Sequence, residues 1–446
     1  MNLRSSFPGL PAAILSFIPL ASIAATESFT YGVDAGVGET DNVTLSSTDR
    51  VSQTMAIADA DFDFKKQSRL LDADVKGNFT YLDYLQGAFS NQLIGRFDGI
   101  GHFALIPDRL TWALQDNFGQ TALDPFTPTT PTNLENVNYV STGPDLTLRL
   151  GGTSFLNMGA RIARVDYQTS PFNSDRLSGN IAWGLQLSAL SNVSLNADTE
   201  RVKFENTVLN TNFDRTDAFG RYEIHGARTD LSVDVGATTI SQSGESTTGG
   251  LGRIALSRKI SPAAKLTLSV GRDFTDAATS FSSLQSGAIG VVGNAPAAQT
   301  SDSYTSNYAS AEWQYQRNRT TIAISGRWEK DVYSSQPSLD YSRGGAEFRV
   351  ERQLSHAFAA QLWGRLYKTD YDHTVVTPVN SSPDYTDGLI SAGLAWRHGR
   401  ALEVRLRCEH SSRAATGLNA GYHENRAILT VGYRPKPLGD NIDPGA

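Results

Sequence analysis

The sequence predicts an all-β chain, a transmembrane antiparallel β-barrel of about 20 strands (range 16 to 20) with short periplasmic turns and long extracellular loops. Three observations predict it: apolar and polar residues alternate with a period of two, the alternating segments are long, and short connections alternate with long ones.

The alternation is clearest in "ALEVRLRCEH" (401–410). Leu402, Val404, Leu406 and Cys408 take one parity, and Glu403, Arg405, Arg407 and Glu409 the other. Successive side chains of a strand point to opposite faces, so one face is apolar and the other ionic. "TDLSVDVGATT", "RLSGNIAWGLQL", "TTIAISGRWE" and "GGAEFRVER" repeat the pattern, and helical spacing is scarce. Segments of about 10 to 16 residues suit a tilted membrane strand better than sandwich strands of about 5 to 6. A β-propeller would repeat every ~40 to 50 residues, and no such repeat is visible.

Short turns are expected at 64–69, 105–109, 150–154, 189–192, 224–228, 259–264, 316–319, 354–357 and 397–400. Long polar segments rich in Pro, Gly, Ser, Thr and Asn are expected at 121–138, 280–303 and 372–388. Only a closed sheet or a helix satisfies every backbone group in hydrocarbon. The apolar parity therefore faces lipid and the ionic parity a watery lumen.

Composition narrows the function classes. The 446 residues carry a net charge of −7, which disfavours nucleic acid as a partner. Mean hydropathy is −0.30, and no run has the ~20 apolar residues of a spanning helix. The uncharged run Gly9–Ile23 after Arg4, followed by small residues, reads as a signal peptide over 1–25, cleaved near Ala24 or Ala25. The barrel follows over 26–434 and a periplasmic tail over 435–446. Cys408 is the single cysteine, so no internal disulfide is available.

The expected lumen lining begins with Asp59, Asp61 and Asp63 in "ADADFDFKK" and Asp230 and Asp234 on a later strand. Further on it turns basic: Arg327, Arg343, Arg349, Arg365, Arg405 and Arg407, interleaved with Glu347 and Glu403. Cross-strand ion pairs are the structural reading of these residues, and a solute-selecting electrostatic lining is the functional one. Acidic early strands and basic later ones would set a field across an open lumen, or pair across the closing seam. Trp313, Trp328 and Trp396 sit where an interfacial aromatic belt is expected.

Neither a metal site nor a catalytic one emerges. Counting a calcium loop from Asp59 places Phe64 and Leu70 where Gly and Glu are needed. His410 and Ser411 are sequence neighbours on a strand and point apart, and no G-x-S-x-G elbow is present. No cofactor is expected, and the chain is not read as an enzyme.

Three stretches carry a family resemblance: "DRLTWALQDNFGQTALDPFTPTTPTNLENVNYVSTGPDLTLRLG" (108–151), "RVDYQTSPFNSDRLSGN" (164–180) and "ERVKFENTVLNTNFDRTDAFGRYE" (200–223). They resemble outer-membrane barrels encoded with exopolysaccharide and exosortase (PEP-CTERM) systems of Gram-negative bacteria, along Tyr31 to Arg434. The resemblance implies a cell-outer-membrane barrel tied to the production or export of a surface polysaccharide, as passive conduit or docking platform. Outer-membrane lipid and lipopolysaccharide are the implied surroundings, with polysaccharide or export machinery as further partners. The tail after Tyr433 departs from the usual aromatic end of such barrels. Two other readings stand beside it. One is a general porin for small hydrophilic solutes, with 121–138 or 280–303 folded inward; the other is a structural barrel with a filled lumen. A TonB-dependent transporter is disfavoured because no plug domain precedes the first strand near Phe29.

Overall fold

The computed structural model describes residues 26–287, 300–373, 384–399, 401–415 and 421–435. The signal peptide over 1–25, its cleavage site and the tail from residue 436 lie outside the described residues. Twenty strands follow one another up and down: β1 (Thr26–Thr40), β2 (Gln53–Gln67), β3 (Leu71–Tyr84), β4 (Gln92–Ile106) and β5 (Leu110–Ala122). Next come β6 (Leu134–Arg149), β7 (Ser154–Tyr167), β8 (Ser174–Gln186), β9 (Ser191–Phe204) and β10 (Phe213–His225). The third quarter is β11 (Thr229–Gln242), β12 (Glu245–Ser261), β13 (Ala264–Asp276), β14 (Ser303–Arg317) and β15 (Thr320–Tyr333). The last is β16 (Tyr341–Gln353), β17 (Phe358–Tyr371), β18 (Tyr385–His398), β19 (Leu402–Ala415) and β20 (Tyr422–Tyr433).

Each strand pairs antiparallel with its chain neighbours. β1 closes the ring on β20, in register from Val33↔Tyr433 to Thr40↔Arg426. Before Val33, β1 pairs with β2 alone. Pro144 interrupts the β6–β7 ladder because it has no N–H to give, and Arg161 Nη1 donates to its carbonyl at 3.1 Å instead.

The two faces invert the usual rule for a water-soluble fold. Leu195 and Val235 are 63% and 68% exposed, whereas Asp234 and Glu403 are 3% exposed. Phe29, Val33, Val37, Leu402 and Leu406 lie on the exposed parity as well. Burying apolar surface is worth about 25 cal/mol per Å². An apolar band left outside a closed sheet is stable only when hydrocarbon surrounds it. The chain is a transmembrane β-barrel. No helix of the described residues is long and apolar enough to cross a membrane.

At the end where β1 starts and β20 finishes, every connection is short, as at Ile106–Leu110 and Arg317–Thr320. This is the turn end; the other is the loop end. Long and short connections do not alternate strictly, however. β11 and β12 are joined at the loop end by Ser243 and Gly244 alone, with φ of 55° and 85°. Positive φ at both central residues makes the turn whose twist matches a tight hairpin.

Three loop boundaries also differ from the sequence reading. Segment 121–138 is shorter, because β5 runs through Ala122 and β6 begins at Leu134. Beyond the apolar band both strand faces are polar, so "LENVN" looks like a loop although Glu135 and Val137 are buried within the sheet. Of 372–388, residues 385–388 belong to β18, and 374–383 lie outside the described residues. The third, 280–303, begins inside a helix, α1 (Ala277–Gly287); residues 288–299 lie outside the described residues. Asp276 starts that helix, its Oδ1 accepting from the Thr279 amide (3.3 Å) and hydroxyl (2.5 Å).

Candidate functional site: a charged lumen crossed by two segments

The inner parity carries the chemistry. Asp59, Asp61 and Asp63 stand on it along β2, Asp230 and Asp234 along β11, and Arg327 along β15. Arg343, Glu347 and Arg349 share it on β16, Arg365 on β17, and Glu403, Arg405 and Arg407 on β19. Trp313, Trp328 and Trp396 stand on the outer parity, Trp313 and Trp396 toward the turn end and Trp328 nearer the loop end.

These ions mostly have partners, but many pairs run along one strand instead of across two. Arg327 meets Glu329 at 2.7 Å, Arg407 meets Glu409 at 3.3 Å, Arg349 meets Glu351 at 4.0 Å, and Arg405 pairs with Glu403. Residues i and i+2 share a face about 6.5 to 7 Å apart, a gap that a long arginine spans. Cross-strand pairs exist too. Asp234 takes Arg221 at 2.7 Å and Arg253 at 2.9 Å from the two flanking strands. Asp59 accepts from the Thr80 hydroxyl at 2.6 Å, and Asp63 lies opposite Lys76 in register. Asp230 lies 3.6 Å from the His225 ring.

The seam concentrates charge. Arg434, just past β20, reaches Asp34 on β1 at 2.5 Å, and also Asp61 on β2. Its carbonyl accepts from the Arg397 guanidinium at 2.5 Å. A side chain at position 432 would collide with the Asp34 carboxylate, and one at position 32 with the Arg434 guanidinium, so both positions are glycine. The early acidic strands and the late basic ones thus meet across the closure through one arginine.

At the loop end two segments enter the lumen. β13 leaves β12 after Arg272 but continues against β14 to Asp276, which delivers α1 inward. Ala278 and Phe281 pack with Val137, Val165 and Tyr167 of β6 and β7, several strands away around the ring. Arg176 of β8 clamps the junction: its Nη1 donates to Asp276 at 3.1 Å, Thr279 Oγ1 at 3.2 Å and Glu200 at 3.3 Å. The second segment, 123–133, starts from β5 and crosses to the far wall. There Phe126 meets Tyr371 of β17 at 5.1 Å between ring centroids. Asn133 organises it from within, accepting from the Asp124 amide at 2.8 Å and donating to the Asp124 carbonyl and the Thr127 hydroxyl, both at 2.9 Å.

The wall beneath segment 123–133 is rich in arginine and aromatic rings. Arg343 lies 4.6 Å from the Tyr367 centroid, Arg365 5.6 Å from Trp363, and Arg413 4.1 Å from Tyr385. Tyr367 donates to Glu347 at 2.9 Å, and Arg413 grips Asp387 with two hydrogen bonds of 2.8 and 3.2 Å. A narrow cleft, with Pro125, Thr127 and Thr129 on one side and Arg343, Asp387 and Arg413 on the other, separates this wall from the segment. Alternation alone puts Arg413 and Arg176 on the inner face, but neither Asp387 nor Asp276 is marked as their partner by any local spacing. No group of three or more metal-ligating side chains converges among the described residues.

No protein-family model and no curated protein matches this chain. Among solved structures it is similar to the FrpB iron transporter (F5-1 variant) of Neisseria meningitidis, at 9% identity and TM-score 0.46, over 91% of this chain and 82% of that one. It is similar to the siderophore receptor PirA of Pseudomonas aeruginosa at 11% identity and TM-score 0.41, over 92% and 80%. The ferric enterobactin receptor PfeA of the same organism (mutant R480A, with enterobactin) has 9% identity and TM-score 0.48, over 91% and 81%.

Proposed function

We propose that this chain is an outer-membrane barrel serving the production or export of a surface polysaccharide, as a passive conduit that its own segments obstruct at rest. The observation that carries the conduit reading is the pair of segments crossing the loop end of a charged lumen, one clamped by Arg176 and the other scaffolded by Asn133. A lumen built only for stiffness needs no such crossing, because β-ladders and ion pairs along the strands already hold the ring. The polysaccharide itself rests on the family resemblance. Outer-membrane lipid and lipopolysaccharide cover the apolar band in this reading, and the role is not enzymatic.

A second reading, a porin for small hydrophilic solutes, is favoured by α1, which narrows the lumen from one side as a constriction would. Planar-bilayer recording separates the two. The conduit reading expects a nearly silent protein that conducts once the segments are released, whereas a porin opens a large stable pore unaided. Deleting the gene tests the polysaccharide: lower yield or altered chain length of the secreted polymer is expected, and unchanged polymer removes that role.

A further inference from the structure

Asp198 on β9 and Asp217 on β10 stand directly opposite each other on the lumen face. Side chains so placed have Cβ atoms about 4.5 to 5.5 Å apart, and like charges in that position repel. Neither carboxylate has a cation of its own. Asp198 makes no hydrogen bond or ion pair among the described residues. Asp217 is 8% exposed, its Oδ1 is buried without a partner, and its Oδ2 has only a long contact, 3.9 Å, with Arg215 Nε. On the other side of Asp217, in register, Thr238 of β11 is fully buried, and its hydroxyl also lacks a partner.

The charges around the pair are already spent on one another. Arg215 takes Glu200 at 3.0 Å and donates to the Phe274 carbonyl at 3.1 Å. Arg221 takes Asp234 at 2.7 Å, and Arg253 lies 2.9 Å from Asp234 and 3.7 Å from Asp273. These guanidiniums balance Glu200, Asp234 and Asp273, so the facing aspartates are left as surplus negative charge. A charge withdrawn from water is costly unless it is paired or coordinates a metal. Every unmet atom here is a hard oxygen, from two carboxylates and a hydroxyl. That set suits a hard divalent cation. Calcium accepts irregular geometry, whereas magnesium demands a near-ideal octahedron. Asp198 is only half-buried, which leaves the lumen side open for waters to complete the shell.

We propose that Asp198, Asp217 and Thr238 bind a calcium ion in the lumen wall. The site goes beyond the polysaccharide reading and does not depend on it. Its effect falls on the inward swing of β13. Arg215 stands between the aspartates and the Phe274 carbonyl, and Glu200 links it to Arg176 at 3.3 Å. With calcium on the aspartates, Arg215 stays with Glu200 and Phe274. Without it, the surplus charge of Asp217 draws Arg215 away and loosens the junction.

Titration calorimetry and heat-modifiable gel mobility test it on the full-length barrel in detergent, stripped of metal with EDTA and dialysed. Calcium chloride is the probe, with magnesium chloride and sodium chloride of equal ionic strength as comparisons. Calcium is expected to bind with a Kd of roughly 10⁻⁴ to 10⁻³ M, the range of extracellular calcium modules, and to raise the heat-modifiable transition. Magnesium is expected to bind severalfold more weakly, and sodium to leave the transition unmoved. Asp217→Asn should lose at least tenfold in calcium affinity, and Thr238→Val severalfold. With the repulsion gone, Asp217→Asn should also melt above the wild type in EDTA and gain nothing from calcium, which tells lost binding from lost fold. Asp198→Asn, at the half-buried position, repeats the test should the buried change prevent folding. No calcium binding to the folded wild type, the result if the two carboxylates share a proton, overturns the proposal. So do unchanged affinity in both aspartate variants, which would put the ion elsewhere, and magnesium binding as tight as calcium.

Discussion

The two segments that enter the lumen do so by opposite means. α1 is held from outside, by an arginine of β8 whose partner Asp276 lies 100 residues on in sequence. Segment 123–133 is held from inside, by Asn133 bonding to residues nine or fewer positions away, and it rests on the far wall through the Phe126–Tyr371 contact. An ion clamp buried in the lumen adds little net stability while whole, but removing one partner is costly because the other is left buried and unpaired. A self-bonded loop keeps its shape wherever it lies, so it moves once its wall contacts yield, among them the Phe126–Tyr371 pair and the Gln92 hydrogen bond to the Pro131 carbonyl at 2.7 Å. Of the two, segment 123–133 is built as the movable element and α1 as the fixed one.

The comparison can be broken, starting with the largest effect. Arg176→Met takes from Asp276 its paired cation, while Glu200 keeps Arg215 at 3.0 Å. Removing one partner of a buried pair costs about 3 to 5 kcal/mol, so the heat-modifiable transition should fall and conductance should appear as α1 leaves. Adding Asp276→Asn should restore part of the stability; no recovery would mean that the clamp is not the holding contact. Asn133→Ala removes the internal scaffold at about 0.5 to 1.5 kcal/mol per net hydrogen bond. Bilayer recordings should show frequent openings with the thermal transition nearly unchanged. Phe126→Ala, at about 0.5 to 1.5 kcal/mol beyond lost area for an aromatic pair, should bring brief openings only. If Asn133→Ala and Phe126→Ala both stay as silent as the wild type, segment 123–133 is not the movable element.

The barrel was legible because its code is local. "ALEVRLRCEH" declares its two faces within one strand, and the turns at 105–109 and 316–319 declare where strands reverse. The i, i+2 pairs such as Arg327 with Glu329 were equally visible, since they lie on one strand, although they invite a cross-strand reading. α1 was hidden for a different reason. "AATSFSSLQSG" is short and serine-rich, and what makes it helical is the Asp276 cap and the packing of Phe281 against β6 and β7. The arginine wall was half visible: Arg343 and Arg365 stood out as basic lining, whereas Arg413, Asp387 and Tyr385 come together with segment 123–133 only in the folded chain.

From its sequence alone this protein acquired strand periodicity, the assignment of one face to lipid and the other to water, and the charge of that watery face. Those properties depend on the pleat of each strand and on the solvents it meets, both of which are set residue by residue. The tertiary structure decided which charges meet: Arg434 with Asp34 and Asp61 across the closure, Arg176 with Asp276, and the loop hydroxyls with the arginine wall. Such meetings follow from ring closure and from chain entering the lumen, which bring together residues that no spacing in the sequence relates.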